Sequence, residues 1–396
     1  MSATLIAERR VDAVAPGPVP QPVLDAITAQ LAATAAEHDR AAEFPRANFD
    51  LLAKEGLIGL TVSPEYGGRG AGPVETLRVL SAIARGEPST ALILFMTYGY
   101  HSNPTRGQSW PEHIYSRIAR EAVAGRGLIG GLRVEPELGT PVRGGLPKTV
   151  ARRTADGWAI TGAKIYSTGS TGLDWFSVWA KTDEPEPRVG NFLVASDSPG
   201  ISILPAWDHL GMRATVSHEV VFDETPVPLD HAVDVRAPDD WKPKPGDDNS
   251  QAFWNGLAIG SIYDGVARAA RDWLRDYLKD RTPSNLGASL ATLPRVQEKF
   301  GEIEALLYAN RILLQTAAQR AEDGNGPGPV EAGHIKYLVT SNAIRAVEIG
   351  LELTGNPGLS RKNPLERHYR DVLCSRIHSP QNDTILTTAG RAGFGI

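Results

Sequence analysis

The stretch Lys164-Ile165-Tyr166-Ser167-Thr168-Gly169-Ser170 decides how this chain is built. It closes a run, Trp158–Tyr166, of aromatic and β-branched residues that predicts a strand, and it ends in small hydroxyl residues and a glycine that predict a turn. Similar segments surround it. Gly127–Val134 and Lys148–Arg153 precede it, and Trp175–Thr182, Asn191–Ala195, Ile201–Leu204 and Ser217–Phe222 follow. Short strands at this spacing predict a small barrel or sandwich of roughly a hundred residues.

Outward from that β region the texture becomes helical on both sides. From about Pro22 to Glu37, Ala, Leu and Ile recur every three to four residues, and Phe49–Glu55 begins another such pattern. Ser63-Pro64-Glu65-Tyr66-Gly67-Gly68-Arg69-Gly70 interrupts it; helical character returns over Pro73–Arg85, Ser89–Tyr98 and Pro111–Ala124. Downstream, Asp234–Asn249 is rich in Pro and Asp and reads as a linker. Phe253–Arg281, Pro294–Arg320 and Ala332–Leu353 then read as long helices, followed by a Gly355-Asn356-Pro357-Gly358 turn and a last helical segment from about Pro364. The expectation is an α+β chain in three parts: helical over 1–126, β over 127–233, and helical over 234–396 with a linker at 234–249.

Composition excludes several classes. At 396 residues the chain exceeds a single core, and 41% hydrophobic with 22% charged residues is ordinary for a globular protein. The formal net charge is −5 and no basic block stands out, which argues against nucleic acid as a partner. One cysteine, Cys374, allows neither an intramolecular disulfide nor a thiolate metal site, and no metal is expected. Met1–Gln21 lacks an apolar run with a cleavage site, and apolar stretches such as Ala91–Met96 are too short to span a bilayer. A cytoplasmic protein away from membranes is expected.

Five stretches, in order, resemble the acyl-CoA dehydrogenase superfamily. They are Ser63–Gly68, Val134-Glu135-Pro136-Glu137-Leu138-Gly139-Thr140, Lys164–Ser170, Leu210-Gly211-Met212-Arg213-Ala214 with Phe222–Pro228, and Arg281 with the Gly355–Gly358 turn. The resemblance implies an N-terminal helical domain, a central β-barrel or sandwich and a C-terminal helical bundle. It further implies a flavin, FMN or FAD, and a homotetramer whose cofactor sites borrow residues from a neighbouring subunit. The residues suit such a cofactor chemically. Thr168 offers a hydroxyl to the flavin N5 edge, with Ser170 beside it. Gly139 permits close backbone approach, Tyr166 and Trp175 offer stacking area, and Arg281 or Arg370 would hold phosphate. Plain structural roles compete: Thr168 as a strand residue and Arg281 as a charge favoured at a helix C-terminus.

The chain departs from that family where the chemistry matters. In acyl-CoA dehydrogenases an Arg-Asp pair is followed eight residues after the Asp by the glutamate that removes the α-proton. Here Arg370-Asp371 leads eight residues on to Ser379, beside His378, in His378-Ser379-Pro380. An alcohol is no useful base near neutral pH. The family's other base position is Phe253, next to Trp254, so the pocket suits an apolar or aromatic substrate, with Phe253, Trp254 and Ser379 as candidate substrate contacts. Ser379 ahead of Pro380 also reads as a helix N-cap. Asp383 is a candidate displaced base or, more simply, a charge suited to a helix N-terminus.

Loss of the base resembles the reduced-flavin-dependent branch, such as the dibenzothiophene monooxygenases. These take reduced flavin from a separate reductase and carry oxygen as a C4a-hydroperoxide to sulfur, nitrogen or aromatic carbon. His101, in Tyr98-Gly99-Tyr100-His101, and His378 stand at the matching positions and would manage the peroxide proton, with Thr168 at the flavin. The expectation is a flavin-dependent monooxygenase served by a flavin reductase. An acyl-CoA dehydrogenase with a relocated base and a catalytically silent scaffold are the alternatives.

Overall fold

The computed structural model describes residues 17–102, 110–138, 145–241 and 250–396. Five helices come first: α1 (Gln21–Ala41), α2 (Arg46–Lys54), α3 (Pro73–Gly86), α4 (Pro88–His101) and α5 (Glu112–Val123). In α1, Leu24, Ile27, Leu31 and Ala35 recur at helical spacing and are the buried positions. Proline opens α3 and α4, where its fixed φ suits the first turn. Glu87 caps α4, its carboxylate accepting from the amides of Ser89 and Thr90 at 3.1 and 2.8 Å.

Among the described residues, eight strands follow: β1 (Ile129–Leu132), β2 (Val150–Arg153), β3 (Gly157–Ser167), β4 (Trp175–Thr182), β5 (Val189–Ala195), β6 (Ile201–Leu204), β7 (His218–Pro228) and β8 (Ala232–Arg236). Their order is β6-β7-β3-β2-β4-β5-β8, with β1 parallel to β4. Two features differ from the sequence reading. β7 continues past Phe222 to Pro228, antiparallel to β3, and β8 runs into the expected linker because it pairs with β5, Val189 opposite Arg236. That pairing is non-local and invisible in a Pro- and Asp-rich composition. Behind β3 lies a buried ion pair: Lys164 Nζ donates to Glu135 Oε1 at 2.7 Å, and that carboxylate also accepts from Lys148 N and from Thr149 N and Oγ1.

The C-terminal part holds α6 (Ser250–Ala252), a π-helical turn (Phe253–Ala258), α7 (Ile259–Asp280), α8 (Pro294–Glu322), α9 (Pro329–Thr354), α10 (Asn356–Leu359), α11 (Leu365–Leu373) and α12 (Asn382–Phe394). The expected turn at Gly355–Gly358 is thus largely the short helix α10. Ser379 is not the N-cap of the last helix. The helix starts at Asn382 behind Gln381, because Lys336 of α9 draws the carbonyls of His378 and Pro380 toward itself. One apolar core runs from α1 and α3 through β4 and β7 to α7 and α9. Among the described residues, no helix is long and apolar enough to cross a membrane.

Candidate active site

The turn after β3 is tied to both neighbouring parts. Gly169 has φ +78°, and a Cβ there would stand 3.2 Å from the Ile93 side chain, so glycine lets the turn lie against α4. Its amide donates to Thr215 O at 2.7 Å. Beside it runs a chain of hydroxyls. Thr168 Oγ1 lies 3.1 Å from Ser217 Oγ, and Ser217 Oγ lies 2.8 Å from Thr215 Oγ1, which donates to Met212 O at 2.8 Å. Direction follows from proton count. A carbonyl only accepts, so Thr215 spends its proton on Met212; Ser217 then donates to Thr215, and Thr168 to Ser217. Thr168 Oγ1 is left with lone pairs alone to offer outward.

Next to Thr168 stands an aromatic platform. Tyr166 is 52% exposed and meets Trp207 and His209 edge-on at ring distances of 6.4 and 5.9 Å. Trp207 and His209 stack at 3.6 Å. His218 Nδ1 accepts from the amides of Ala206 and Trp207, both at 3.2 Å, which holds the Trp207 loop. His209 Nδ1 is buried with no hydrogen-bond partner among the described residues. Tyr166, Met212 and Val216 take the left-handed conformation (φ 55°, 54° and 41°), unfavourable for such side chains and here gathered around one turn. A planar heteroaromatic ring with polar edges fits these features: ring faces, an acceptor hydroxyl and an orphaned ring nitrogen. A flavin is such a group.

Across the relay lies α11. Met212 N donates to Asp371 Oδ1 at 2.6 Å, and burial pushes the Asp371 carboxyl up to about 7. Further along, His378 Nε2 lies 2.5 Å from the Tyr263 hydroxyl of α7. Burial first, and the Lys336 cation second, push the His378 imidazole down to about 3. Lys336 is itself buried and lowered to about 8 by desolvation. Cys374 Sγ donates to Arg370 O at 3.6 Å, and burial pushes its thiol up to about 12. Phe253 and Trp254, 7% and 5% exposed, meet edge-to-face on the π-helical turn, and Trp254 reaches Phe95 of α4 at 6.1 Å. Such turns recur at functional sites because they displace a helix's regular register.

Several expected site residues sit elsewhere. His101 is fully buried, with Nδ1 and Nε2 at 3.2 and 2.9 Å from the carbonyls of Ile58 and Gly127. Two carbonyls invite an imidazolium, yet burial outweighs them and lowers the pKa to about 4. The ring therefore serves the N-terminal core. Trp175 is 3% exposed; it donates to Glu121 at 2.8 Å and lies under Arg117, so it has no free face for a ligand. Ser170 Oγ is spent on Val216 O at 2.8 Å. Arg370 forks onto Asp39 at 2.9 and 2.6 Å and reaches Glu366 at 2.8 and 3.1 Å, leaving no donor pair for phosphate within this chain. Arg281 is exposed at the C-cap of α7. Asp383 lies exposed in the first turn of α12, where its carboxylate accepts from Thr384 N at 2.8 Å. Ser379 is exposed. Gly139 lies outside the described residues.

Sequence reading missed Ser217, Thr215, Tyr263, Lys336 and the Trp207–His209 stack. The one available signal was the density of hydroxyls in Thr215-Val216-Ser217, which mirrors Ser167-Thr168. Surface depressions of about 620 Å³, at Arg153, Trp158 and Arg188, and about 320 Å³, along Asp383–Arg391, include neither Thr168 nor His378. Their linings are paired surface charges and helix-surface polar residues, so the hydrogen-bonded relay is the better guide to the site.

Comparison with known proteins is consistent with this geometry. Residues 21–105, 134–225 and 254–392 match the N-terminal, middle and C-terminal domains of acyl-CoA dehydrogenases. The chain is 32% identical over 371 residues to the putative acyl-CoA dehydrogenase YdbM of Bacillus subtilis, covering 91% of this chain and 93% of that protein. It is 30% identical over 399 residues to the amino sugar nitrososynthase RubN8 of Streptomyces rubradiris, covering 92% and 87%. The X-ray structure of KijD3 with FMN and dTDP-3-amino-2,3,6-trideoxy-4-keto-3-methyl-D-glucose superposes with a TM-score of 0.82 at 28% identity, covering 98% and 97%.

Proposed function

The chain belongs to the acyl-CoA dehydrogenase family of flavin-dependent oxidoreductases, and we propose that within it the protein is a monooxygenase acting with reduced flavin and O2 on an apolar or aromatic small molecule. One observation carries this reading: the hydroxyl relay makes Thr168 Oγ1 an acceptor. Oxidised flavin has a lone pair at N5, whereas reduced flavin has an N–H there. An acceptor hydroxyl therefore complements the reduced form and repels the oxidised one.

Bound reduced flavin supplies the two electrons for O2 activation; one oxygen atom enters the substrate and the other leaves as water. The chain's own groups do the rest. Thr168 orients the cofactor edge, and Tyr166 with Trp207 covers a ring face. Phe253 and Trp254, packed on the π-helical turn, would give an apolar substrate its dry wall. His378 holds a proton where oxygen chemistry needs one, and nothing in the site demands an α-proton base. The RubN8 name supports nitrogen as one acceptor of oxygen on this scaffold, and the KijD3 complex supports FMN.

A flavin reductase would deliver the cofactor. A homotetramer is part of the proposal, supported by apolar side chains left exposed on the C-terminal part: Tyr308 and Ile312 on α8, Leu338 on α9, and Phe394 and Ile396 at the end. Dilution followed by size analysis and flavin titration tests it, since a monomer is expected to lose flavin.

The deciding experiment mixes protein and photoreduced flavin with O2 in a stopped-flow spectrometer. A protein-dependent absorbance transient that outlives oxidation of free flavin is expected; immediate oxidation overturns the reading. YdbM's name favours a second reading, an acyl-CoA dehydrogenase with a relocated base such as Asp383. Bleaching of oxidised, protein-bound flavin by an acyl-CoA under anaerobic conditions would establish it.

A further inference from the structure

Tyr263 of α7 is fully buried, and His378 Nε2, 2.5 Å away, is the hydrogen-bond partner of its hydroxyl. A buried hydroxyl left without an acceptor is costly, so its proton points at Nε2. Burial also keeps the phenol protonated, far above the ordinary tyrosine range. Nε2 is then the accepting nitrogen, and a neutral imidazole that accepts at Nε2 carries its own proton on Nδ1.

Lys336 completes the arrangement from α9. Its buried ammonium donates to the backbone carbonyls of His378 and Pro380, both at 2.5 Å, and no carboxylate lies within ion-pair distance of it among the described residues. The cation thus pins the backbone of the residue whose ring Tyr263 orients, and its charge opposes a second proton on that ring. Among the described residues, Asp371 and Cys374 of the α11 segment are the other titratable groups that act on Tyr263.

We propose that Tyr263 and Lys336 are positioning residues that hold His378 as a neutral imidazole protonated on Nδ1, a fixed N–H donor at the edge of the site. The value of that donor to catalysis rests on the monooxygenase reading; the tautomer lock does not. Locked this way, His378 offers a hydrogen bond from Nδ1 while staying neutral, so its donor role persists across neutral pH.

The test uses diethyl pyrocarbonate on the full-length protein, with modification at each histidine followed by peptide mass spectrometry. An unprotonated imidazole nitrogen attacks the reagent's carbonyl carbon with its lone pair and expels ethyl carbonate, and here that lone pair is masked by the Tyr263 hydroxyl. In wild type, His378 is expected to react at least about tenfold more slowly than exposed His334, with no inflection between pH 5.5 and 8. Tyr263→Phe keeps the ring and frees Nε2, so the His378 rate should rise about tenfold. Lys336→Met, a second route to the same point, should bring the inflection up toward the ordinary imidazole range. A wild-type His378 reacting as fast as His334, or a rate unmoved in both variants, overturns the lock. Hydrogen peroxide released per flavin oxidised separates the two claims. A freed His378 with unchanged release leaves the lock standing and removes the catalytic role, whereas increased release supports both.

Discussion

The backbone amide of Met212 donates to Oδ1 of Asp371 over 2.6 Å, joining positions 159 residues apart. Through that bond the β part, which carries Thr168, is set against the helix that leads to His378. Gly211 makes the approach possible: a Cβ there would stand 2.4 Å from Arg370 O. The Arg-Asp pair thus works as a joint between parts, Arg370 toward Asp39 of α1 and Asp371 toward Met212.

Asp371→Ala strands the Met212 amide and is expected to cost about 1–3 kcal/mol. Asp371→Asn keeps an acceptor oxygen, and because the native carboxyl is already raised to about 7, it should cost far less at pH 6. Urea unfolding of both variants checks this. Equal losses would mean that the charge and not the hydrogen bond matters.

Ser217→Ala removes the acceptor of Thr168's proton, so Thr168 regains a donor to offer outward. Preference for reduced over oxidised flavin should fall about tenfold, equivalent to one hydrogen bond of ~1.4 kcal/mol. Thr168→Val should weaken reduced flavin most. Fluorescence titration of oxidised flavin and anaerobic titration of reduced flavin measure the ratio, and an unchanged ratio in Ser217→Ala rejects the assigned direction of the relay.

His378→Ala and His101→Ala are expected to separate cleanly. Losing His378 should raise hydrogen peroxide release and, by leaving the buried Tyr263 hydroxyl without its acceptor, lower stability by about 1–3 kcal/mol. Losing the fully buried His101 should lower stability by about 2–4 kcal/mol while flavin oxidation in the surviving folded protein stays coupled. Calorimetry together with a peroxide assay distinguishes them, and uncoupling by His101→Ala would return that residue to the site.

Acid should destabilise the fold from about pH 6.5 downward. Burial lowers His101 to about 4, and His368 and His378 to about 3, so each stays neutral in the native state while the unfolded chain protonates. Their contribution is intact above the ordinary imidazole pKa and is lost progressively as pH falls from there to the native values of about 4 and 3. Asp371, raised to about 7, works the other way: its contribution is complete at low pH and is lost as pH rises through 7. Near pH 5.5 these groups leave the unfolded chain slightly under two protons ahead, a loss of about 2.4 kcal/mol per pH unit. Urea midpoints at pH 6.5, 6 and 5.5 test it; a flat profile contradicts the buried, neutral histidines.

Part of the proposed site is legible one residue at a time. Thr168, Tyr166 and His378 stand in motifs that resemble the family's, and a hydroxyl, an aromatic ring and an imidazole each declare their chemistry in the side chain. Trp175, Ser170 and Arg370 declare it equally well, yet the first is packed under Arg117 and the other two are hydrogen-bonded within the fold. A free donor and a spent one look the same in sequence. β8 was missed for a related reason, since its partner β5 supplies what its composition lacks.

By itself, the sequence determined the helical, β, helical order, the turn after β3 and the absence of a glutamate at position 379, since periodicity, turn chemistry and residue identity are local properties. Only the tertiary structure decided that Thr168 accepts, that His378 is paired with Tyr263 and that His101 belongs to the core. Hydrogen-bond direction and burial depend on partners contributed by distant segments, and their protons can be counted only once those segments have met.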